Sequence, residues 1–322
     1  MSNAAKPIVV IPADHPTQIS DSAHLERLRE IVDLRIFHDF PDSCDEQLRR
    51  AKDASIIINS RGNLHWTADL LSALPKLRMM TTVSIGTDAV DLVAARNQGL
   101  VVCNVPGRTA HIVAEHALAL LLAAARQLAF QTAELRAGRW TAQQNTLISG
   151  KTLGIVGTGS IGTAMIQLGK AIGMTVLAWT FHPSEQRAKD LDVKFVELPE
   201  LLRSSDAVSI HVKLTPDSRH LIGTEELALM KRGSILVNTA RGPVVDTGAL
   251  VEALNSRHLA AAGLDVFDQE PLPADSPILS CEQVVLSPHS ADQMPEGIDL
   301  LNCGAIDNVL AFLEGSPKNV VT

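Results

Sequence analysis

The stretch Thr152-Leu-Gly-Ile-Val-Gly-Thr-Gly-Ser-Ile-Gly162 is the most informative sequence in the second half of this chain. Its apolar start predicts a buried strand, and the run from Ser160 to Gly173 has the composition of a helix. Between them, Gly157 permits a tight turn, Gly159 lets a backbone approach a pyrophosphate, and Gly162 lets the helix pack on the strand. Because a helix N-terminus offers N–H donors to an anion, the stretch predicts a dinucleotide site. A glycine-rich turn that binds nothing is the alternative, and the strand before and helix after count against it.

The strand expected next, Met174 to Trp179, ends in Thr180 and not in an acid. Dinucleotide sites for NAD normally place Asp or Glu there, about 20 residues on, to hold the ribose hydroxyls. Thr180 does not repel a 2′-phosphate as a carboxylate would, so NAD and NADP both stay open as cofactors. Arg187 and His182 are the candidates for contacting a 2′-phosphate. The alternative for Thr180 is a plain strand-end residue.

Length and composition allow two domains and exclude several classes of partner. The 322 residues, 46% of them hydrophobic, can build two cores at the usual domain size of about 100–200 residues. A net charge of -8 attracts neither nucleic acid nor an anionic membrane, so neither is expected as a partner. The four cysteines are too widely spaced for a C-x-x-C knuckle, and no metal site is expected. The longest purely apolar run, Ala117 to Ala125, is too short to span a membrane, so a cytoplasmic enzyme fits best.

Two series of alternating strands and helices predict two parallel sheets. The first series has predicted strands at 8–11, 34–37, 55–59, 79–83 and 101–105. The second has predicted strands at 152–156, 174–179, 207–211, 234–238, 261–266 and 284–287. The fold class is therefore α/β, with two doubly wound parallel-sheet domains.

Two helices join these series. The Ala/Leu-rich run Thr109 to Leu128 has few polar positions, which predicts burial on most sides, between the domains or in a subunit interface. The final helix, Pro295 to Leu313, follows the last strand and is expected to pack back on the first domain. The predicted domains are thus 1–104 plus 292–322 for substrate and 105–291 for the dinucleotide.

Three successive strands of the second series end in polar groups that a purely structural sheet does not need. Arg241 follows the strand 234–238, Glu270 follows a strand that ends near Asp265, and His289 follows the last strand. Ligands of open α/β sheets bind outside these carboxyl ends. Taken singly, each has an ordinary alternative: a surface ion pair for Arg241, a solvated acid for Glu270, a core histidine for His289 and a buried cap for Asp265.

These residue types meet the needs of hydride transfer to a carbonyl. Negative charge grows on the carbonyl oxygen, so a proton donor that titrates near neutral pH is required, and His289 is the candidate. Glu270 beside it would favour the imidazolium form and orient the ring. Arg241 would hold a substrate carboxylate and polarise the keto oxygen. Asp265 suits the nicotinamide amide or a structural hydrogen bond.

At these residues the chain resembles the D-isomer-specific 2-hydroxyacid dehydrogenases, two-domain NAD(P) enzymes that include glyoxylate and hydroxypyruvate reductases and phosphoglycerate dehydrogenases. The resemblance covers nearly the whole chain and rests on Gly154-Ile-Val-Gly-Thr-Gly-Ser-Ile-Gly162, Asn238-Thr-Ala-Arg-Gly242, Gly263-Leu-Asp-Val-Phe267 with Glu270-Pro271, and Ser287-Pro-His289. It implies a Rossmann nucleotide-binding domain, a flavodoxin-like substrate domain, and Arg241, Glu270 and His289 as the substrate-binding and proton-transfer set. With the glycine pattern, it implies cofactor contacts at Gly157, Gly159, Ser160, Ile161, Gly162, Thr180, Thr239, Ala240 and Asp265.

The first domain carries the resemblance through Val83-Ser-Ile-Gly-Thr-Asp88. It implies that the loop amides of Ser84, Ile85 and Gly86 meet the substrate carboxylate. Arg61 is similar to an arginine that phosphoglycerate dehydrogenases place near the substrate, and a surface arginine is the alternative.

The expected function is NAD(P)-dependent hydride transfer between nicotinamide and C2 of a small 2-keto acid or D-2-hydroxy acid, by a homodimer formed through the nucleotide domain. A catalytically silent NAD(H)-sensing protein or corepressor is the alternative, because one fold serves several functions. A third possibility is a dehydrogenase for a substrate without a carboxylate, in which case Arg241→Ala would spare activity.

Overall fold

The computed structural model describes residues 6–322, which divide into two compact units. Unit 1 is the described part of residues 1–109 together with Gln293–Thr322, and unit 2 is Ala110–Asp292. The sequence predicts the first boundary after residue 104, whereas the structure keeps 105–109 with unit 1. The reason is local bonding: Val105 N–H donates to Ser84 O at 2.9 Å, and Arg108 pairs with Asp307 at 2.5 Å.

Unit 1 is built on a five-stranded parallel sheet in the order β2-β1-β3-β4-β5. The strands are β1 (Ile8–Ile11), β2 (Asp33–Ile36), β3 (Ile56–Asn59), β4 (Met79–Thr82) and β5 (Val101–Cys103). The helices are α1 (Glu26–Arg29), α2 (Cys44–Ala51), α3 (Ala68–Ser72), α4 (Leu92–Asn97) and, from the end of the chain, α12 (Pro295–Leu313). This is the flavodoxin-like strand order.

Unit 2 is built on a seven-stranded parallel sheet in the order β12-β11-β10-β9-β6-β7-β8. The strands are β6 (Thr152–Val156), β7 (Thr175–Trp179), β8 (Lys194–Phe195), β9 (Ala207–Ile210), β10 (Ser234–Asn238), β11 (Leu259–Leu264) and β12 (Val284–Leu286). The helices are α5 (Ala110–Ala125), α6 (Leu128–Arg136), α7 (Ser160–Ala171), α8 (Glu185–Leu191), α9 (Leu198–Ser204), α10 (Thr224–Leu229) and α11 (Thr247–Asn255). The order reverses beside β6, which is the crevice where such sheets bind dinucleotides. The predicted α/β class with two parallel sheets is confirmed.

The central strands of both sheets are buried on both faces, as parallel strands covered by helices must be. All four residues of β3 and all five of β10 are buried. Polar side chains therefore collect where these strands end, and the functional candidates follow those ends.

The helix predicted at 109–128 differs from the observed one. α5 ends at Ala125, Gln127 takes a left-handed backbone with φ of 49°, and α6 starts at Leu128 with a bend of 61° between the two helices. α5 is buried within unit 2, where it packs against α7, β10 and β11. Among residues 6–322 no single helix could span a membrane by length and hydropathy, although the bent pair α5 and α6 passes that test jointly.

Candidate active site

The glycine loop between β6 and α7 has little room for side chains except at one position. Gly157 has a φ of +98°, and a Cβ there would lie 2.8 Å from the carbonyl carbon and oxygen of His211. A Cβ on Gly162 would lie 1.9 Å from Gly157 O but 3.4 Å from Ile155 Cγ2. Gly162 therefore lets α7 approach the residue that follows β6 as well as the Ile155 side chain of that strand. Around Gly159 the space is open, since nothing lies within 4 Å of a Cβ built there.

The start of α7 is suited to an anion. Gly159 is the N-cap and has no side chain to bond the first turn, which contains Ser160 and Ile161. The free N–H groups of a helix start carry partial positive charge and accept anions such as a pyrophosphate. The open space at Gly159 lies at the same point.

Two buried polar atoms without partners also lie at the carboxyl edge of this sheet. Thr239 Oγ1, directly after β10, and His211 Nδ1, directly after β9, are buried and have no hydrogen-bond partner within residues 6–322. Buried polar groups are nearly always bonded, so such atoms fit a bound polar ligand. With the loop at Gly159, they fit a nicotinamide dinucleotide. Within the same residues no group of three His, Cys, Asp or Glu side chains is placed to hold a metal ion.

His289 and Glu270 are in direct contact. His289 Nδ1 and Glu270 Oε2 are 2.5 Å apart, and Glu270 Oε1 accepts a hydrogen bond from Phe267 N–H at 2.9 Å. The side chain of His289 is 46% exposed, and its Nε2 has no hydrogen-bond partner among the residues that the structure describes. Nε2 is therefore the ring nitrogen that can exchange a proton with a bound molecule.

This contact shifts the pKa of both groups. The hydrogen bond with Glu270 raises the pKa of His289 above its ordinary value of 6.5, against burial and the charge of Arg241, which lower it. Burial raises the pKa of Glu270. The hydrogen bond and charge of His289, the Phe267 N–H and Arg241 outweigh burial, so the pKa lies below its ordinary value. The contact therefore widens the pH range over which an imidazolium stands beside a carboxylate.

Arg241 lies in a turn fixed by the last residue of β10. The Asn238 side chain donates to Arg241 O at 2.9 Å and accepts from Ala240 N–H at 3.0 Å. The guanidinium influences the pKa of both Glu270 and His289, so the three side chains share one electrostatic environment. A Cβ on Gly242 would lie 1.9 Å from the carbonyl carbon of Phe267, so this turn packs directly on the loop that leads to Glu270.

Asp265 is buried, and its carboxylate is already hydrogen-bonded to neighbouring groups. Asp265 Oδ1 accepts from Ser287 Oγ at 2.6 Å and from Ser290 N–H at 2.9 Å, and Oδ2 accepts from Ala291 N–H at 3.1 Å. Burial would raise the pKa of Asp265, but these bonds and His116 lower it. Asp265 O also accepts from His289 N–H at 2.8 Å. Of the two roles expected for Asp265, the structure shows the structural hydrogen bond.

The candidates in unit 1 lie at the ends of β3 and β4. Arg61 has a left-handed backbone with φ of 55°, uncommon for a residue with a side chain and typical of functional sites. The carbonyl oxygens of Ser84, Ile85 and Gly86 accept hydrogen bonds from Val105 N–H, the Asn104 amide and Ser84 Oγ. Within residues 6–322 the N–H groups of these three residues donate to no acceptor, as a carboxylate site requires.

Three further residues lie beside these candidates, although the sequence pattern did not select them. His211 and Ser287 each follow a strand of the second sheet, the same signal that selected Arg241. The third is His116 of α5, whose Nε2 lies 2.8 Å from Ser287 Oγ and 3.3 Å from Asp265 Oδ1. Burial lowers the pKa of His211 to about 3, so its ring is neutral at neutral pH.

Known proteins share this architecture over nearly the whole chain. A family model described as the NAD binding domain of D-isomer specific 2-hydroxyacid dehydrogenases matches residues 118–291. A glyoxylate reductase of Korarchaeum cryptofilum is 39% identical over 305 residues, 92% of this chain and 92% of that protein. A D-3-phosphoglycerate dehydrogenase of Methanocaldococcus jannaschii is 36% identical over 281 residues, 86% of this chain but 53% of that protein. The crystal structure of a glyoxylate reductase from Paecilomyes thermophila matches with a TM-score of 0.89 and 29% identity, covering 99% of this chain and 98% of that one.

Proposed function

Because the chain belongs to the D-isomer-specific 2-hydroxyacid dehydrogenase family, we propose that it transfers a hydride between nicotinamide and C2 of a small 2-keto acid or the matching D-2-hydroxy acid. The predicted family is confirmed, and the protein is an oxidoreductase that takes NAD or NADP. The substrate and the roles of single residues form the proposal. Unit 2 is assigned to the dinucleotide and unit 1 to the substrate.

The proposed steps use the geometry of unit 2. A bound nicotinamide dinucleotide supplies or accepts the hydride. During reduction, His289 Nε2 donates a proton to the keto oxygen, and during oxidation it accepts the hydroxyl proton. Glu270 holds the other ring nitrogen and favours the imidazolium form. Arg241 binds the substrate carboxylate and polarises the keto oxygen, as a fixed fork of donors can do.

One observation carries the proposal: the 2.5 Å contact between His289 and Glu270, in the electrostatic environment of Arg241. A histidine with one nitrogen held by a carboxylate and the other exposed has the geometry of a general acid and base. A buried structural histidine would have both nitrogens bonded within the protein. No observation favours the silent sensor over the enzyme.

The test is steady-state oxidation of NADH and of NADPH with glyoxylate, hydroxypyruvate, pyruvate and phenylpyruvate. Glyoxylate and hydroxypyruvate come first, because a glyoxylate reductase is similar over 92% of this chain. We expect His289→Ala to lower kcat about 10²–10⁴-fold, the usual contribution of a general acid. His38→Ala, at an exposed histidine of unit 1, is the matched control and should leave kcat unchanged.

Other outcomes separate the alternatives. Cofactor binding without turnover on any 2-keto acid would favour the sensor. Turnover that survives His289→Ala would contradict the assigned proton donor. Turnover that survives Arg241→Ala would favour a substrate without a carboxylate.

For unit 1, we propose substrate contacts at the candidates that the resemblance names. The N–H groups of Ser84, Ile85 and Gly86 are assigned to the substrate carboxylate, and Arg61 to a further polar group of the substrate. Thr239 and Ala240 are assigned to the cofactor, together with the glycine loop. The contact of Asp265 with the nicotinamide amide, a cytoplasmic location and a homodimer stay predictions.

A further inference from the structure

The chain leaves β7 without any acid that could hold the ribose hydroxyls of NAD. Thr180, which is partly exposed, follows the strand, and the first acid after it is Glu185, on α8. Phe181 packs edge-on against Trp179, with ring centroids 4.8 Å apart. The adenosine ribose of a dinucleotide binds at the end of this strand, so no carboxylate stands there to repel a 2′-phosphate.

A guanidinium reaches the phosphate loop from the neighbouring helix. Arg187 of α8 donates from Nε to Thr158 Oγ1 at 3.2 Å and makes a second, short hydrogen bond to Thr158 O. Thr158 is buried between Gly157 and Gly159. The Ser184 side chain fixes the start of α8 by accepting from Arg187 N–H at 3.2 Å. Arg187 is therefore held beside the loop that binds the pyrophosphate.

The charge of Arg187 is not neutralised by a carboxylate. Within residues 6–322 it forms no ion pair, whereas neighbouring Lys170 and Lys194 pair with Asp192 and Glu200 at 2.8 and 2.9 Å. A guanidinium has five N–H donors, and two of them on Thr158 leave three for a ligand. A planar fork of donors with an uncompensated charge is suited to a phosphate.

We propose that Arg187 and Thr180 form a subsite for the 2′-phosphate of NADP(H), so that the enzyme prefers NADP(H) to NAD(H). The inference rests on the dinucleotide binding that the proposed function requires. Arg187 donates to the phosphate oxygens, and Thr180 leaves space where an acid would repel them. Of NAD and NADP, which the sequence leaves open as cofactors, NADP is then the preferred one.

The test is equilibrium binding measured by calorimetry, without substrate. The ligands are NADPH, NADH, adenosine 2′,5′-bisphosphate and AMP, which form two pairs that differ by the 2′-phosphate. We expect Arg187→Ala to weaken NADPH and the bisphosphate about tenfold or more, as the loss of a charged hydrogen bond does, while NADH and AMP change about twofold or less. Lys189→Ala, on the same exposed helix, is the control and should change none of the four.

A second variant tests the same subsite from the other side. Thr180→Asp should weaken NADPH and strengthen NADH, because the carboxylate repels the phosphate and accepts from the ribose hydroxyls. Equal weakening of all four ligands by Arg187→Ala, or no weakening at all, would overturn the subsite and leave the arginine a loop support. A wild-type protein that binds NADH but not NADPH would contradict the proposed subsite and leave the proposed function intact. Binding of neither cofactor would overturn the proposed function with it.

Discussion

The contact between His289 and Glu270 makes the proposed chemistry depend on pH in a defined direction. The pKa of His289 is raised above 6.5, so the imidazolium persists to higher pH than in a free histidine. Reduction needs that form, so its kcat/KM should fall as pH rises through the raised pKa, while that of oxidation should rise over the same interval. Glu270→Gln removes the largest cause of the shift, so both transitions should move to lower pH. Rates measured against pH in both directions check this.

A matched control distinguishes the effect of the contact between His289 and Glu270 from the general effect of removing one negative charge. Glu252→Gln, at an exposed acid of α11, removes the same charge without touching His289 and should leave both transitions in place. Transitions that Glu270→Gln leaves unmoved would show that another group titrates.

Gly242 is the residue whose substitution should most disturb the arrangement of Arg241 and Glu270. A Cβ there would lie 1.9 Å from Phe267 C and 2.4 Å from Asp268 N, both backbone atoms that can move only with their loop. Gly242→Ala should lower the free energy of unfolding by about 1–3 kcal/mol, as overpacking does, and kcat/KM at least about tenfold. Urea denaturation and steady-state kinetics measure the two effects.

The control for this change is Gly248→Ala in the first turn of α11. Its Cβ would meet only a carboxylate oxygen of Asp246, at 3.3 Å and not a backbone atom, and alanine favours a helix. Its stability should rise slightly or stay constant. If both variants lose stability equally, close contact with the Phe267 loop is not the cause.

At the scale of residues, the sequence could predict which side chains carry chemistry but not how they are held. Arg241, Glu270 and His289 each follow a strand of one parallel sheet, so topology alone brings their backbones to one edge. The contact of His116 with Ser287 joins positions 171 apart, and no local pattern encodes such a pairing.

At the scale of elements, α5 is tied to the segment that follows β12 through one hydroxyl group. Ser287 Oγ lies 2.8 Å from His116 Nε2 of α5 and donates to Asp265 Oδ1 at 2.6 Å. Ser287→Ala leaves the buried carboxylate of Asp265 short of a donor, which should lower the free energy of unfolding by about 1–3 kcal/mol. Since Asp265 also fixes the His289 backbone, kcat should fall more than KM rises. Chemical denaturation and kinetics measure this.

Ser290→Ala is the matched control three residues on. Ser290 reaches Asp265 through its backbone N–H, which alanine retains, so both measurements should stay close to wild type. A Ser287→Ala protein as stable and active as the control would contradict the positioning role.

The periodic elements could be predicted from the sequence more reliably than their interruptions. The final helix was expected at 295–313 and is observed there, because its ends are marked by Pro295 and by the glycine after Glu314. The break between α5 and α6 was not expected, because Arg126 and Gln127 include neither glycine nor proline and fit a continuous helix. β8 was missed because two residues give no alternating pattern.

At the scale of the whole molecule, unit 2 exposes apolar side chains that a single chain does not cover. No residue of α6 is buried, and Leu128, Leu135, Trp140 and Leu147 are 52%, 55%, 91% and 62% exposed. Such surfaces mark contacts with other proteins, and most oligomers are symmetric dimers. These residues support the predicted homodimer through unit 2.

Leu135→Glu should dissociate that dimer. Burying a leucine contributes about 1.5–3 kcal/mol to the free energy of association. A twofold interface contains the residue twice, so the dimer Kd should rise at least about 10²-fold. Sedimentation velocity over a concentration series measures the change. Val93→Glu on α4, also an exposed aliphatic position at 69%, is the control. A wild type that is monomeric at all concentrations would refute the predicted dimer.

The two units themselves could be predicted from the two series of strands, whereas the first boundary could not be placed to the residue. Residues 105–109 resemble a linker in sequence, with Pro106 and Gly107. They stay with unit 1 because of hydrogen bonds and an ion pair to residues far away in the chain. Only tertiary contacts decide such a boundary.

The position of α12 has a consequence for how the protein is made. Leu301, Ala305, Ile306 and Val309 belong to the core of unit 1, although the ribosome reaches them only after the whole of unit 2. Unit 2 is contiguous in sequence and can fold as it leaves the ribosome. Until α12 is synthesised, the sheet of unit 1 keeps the apolar surface that α12 covers exposed. A nascent chain that stalls within 110–292 therefore exposes the apolar sheet surface that α12 covers in the finished protein, and we expect aggregation to compete with folding at that stage.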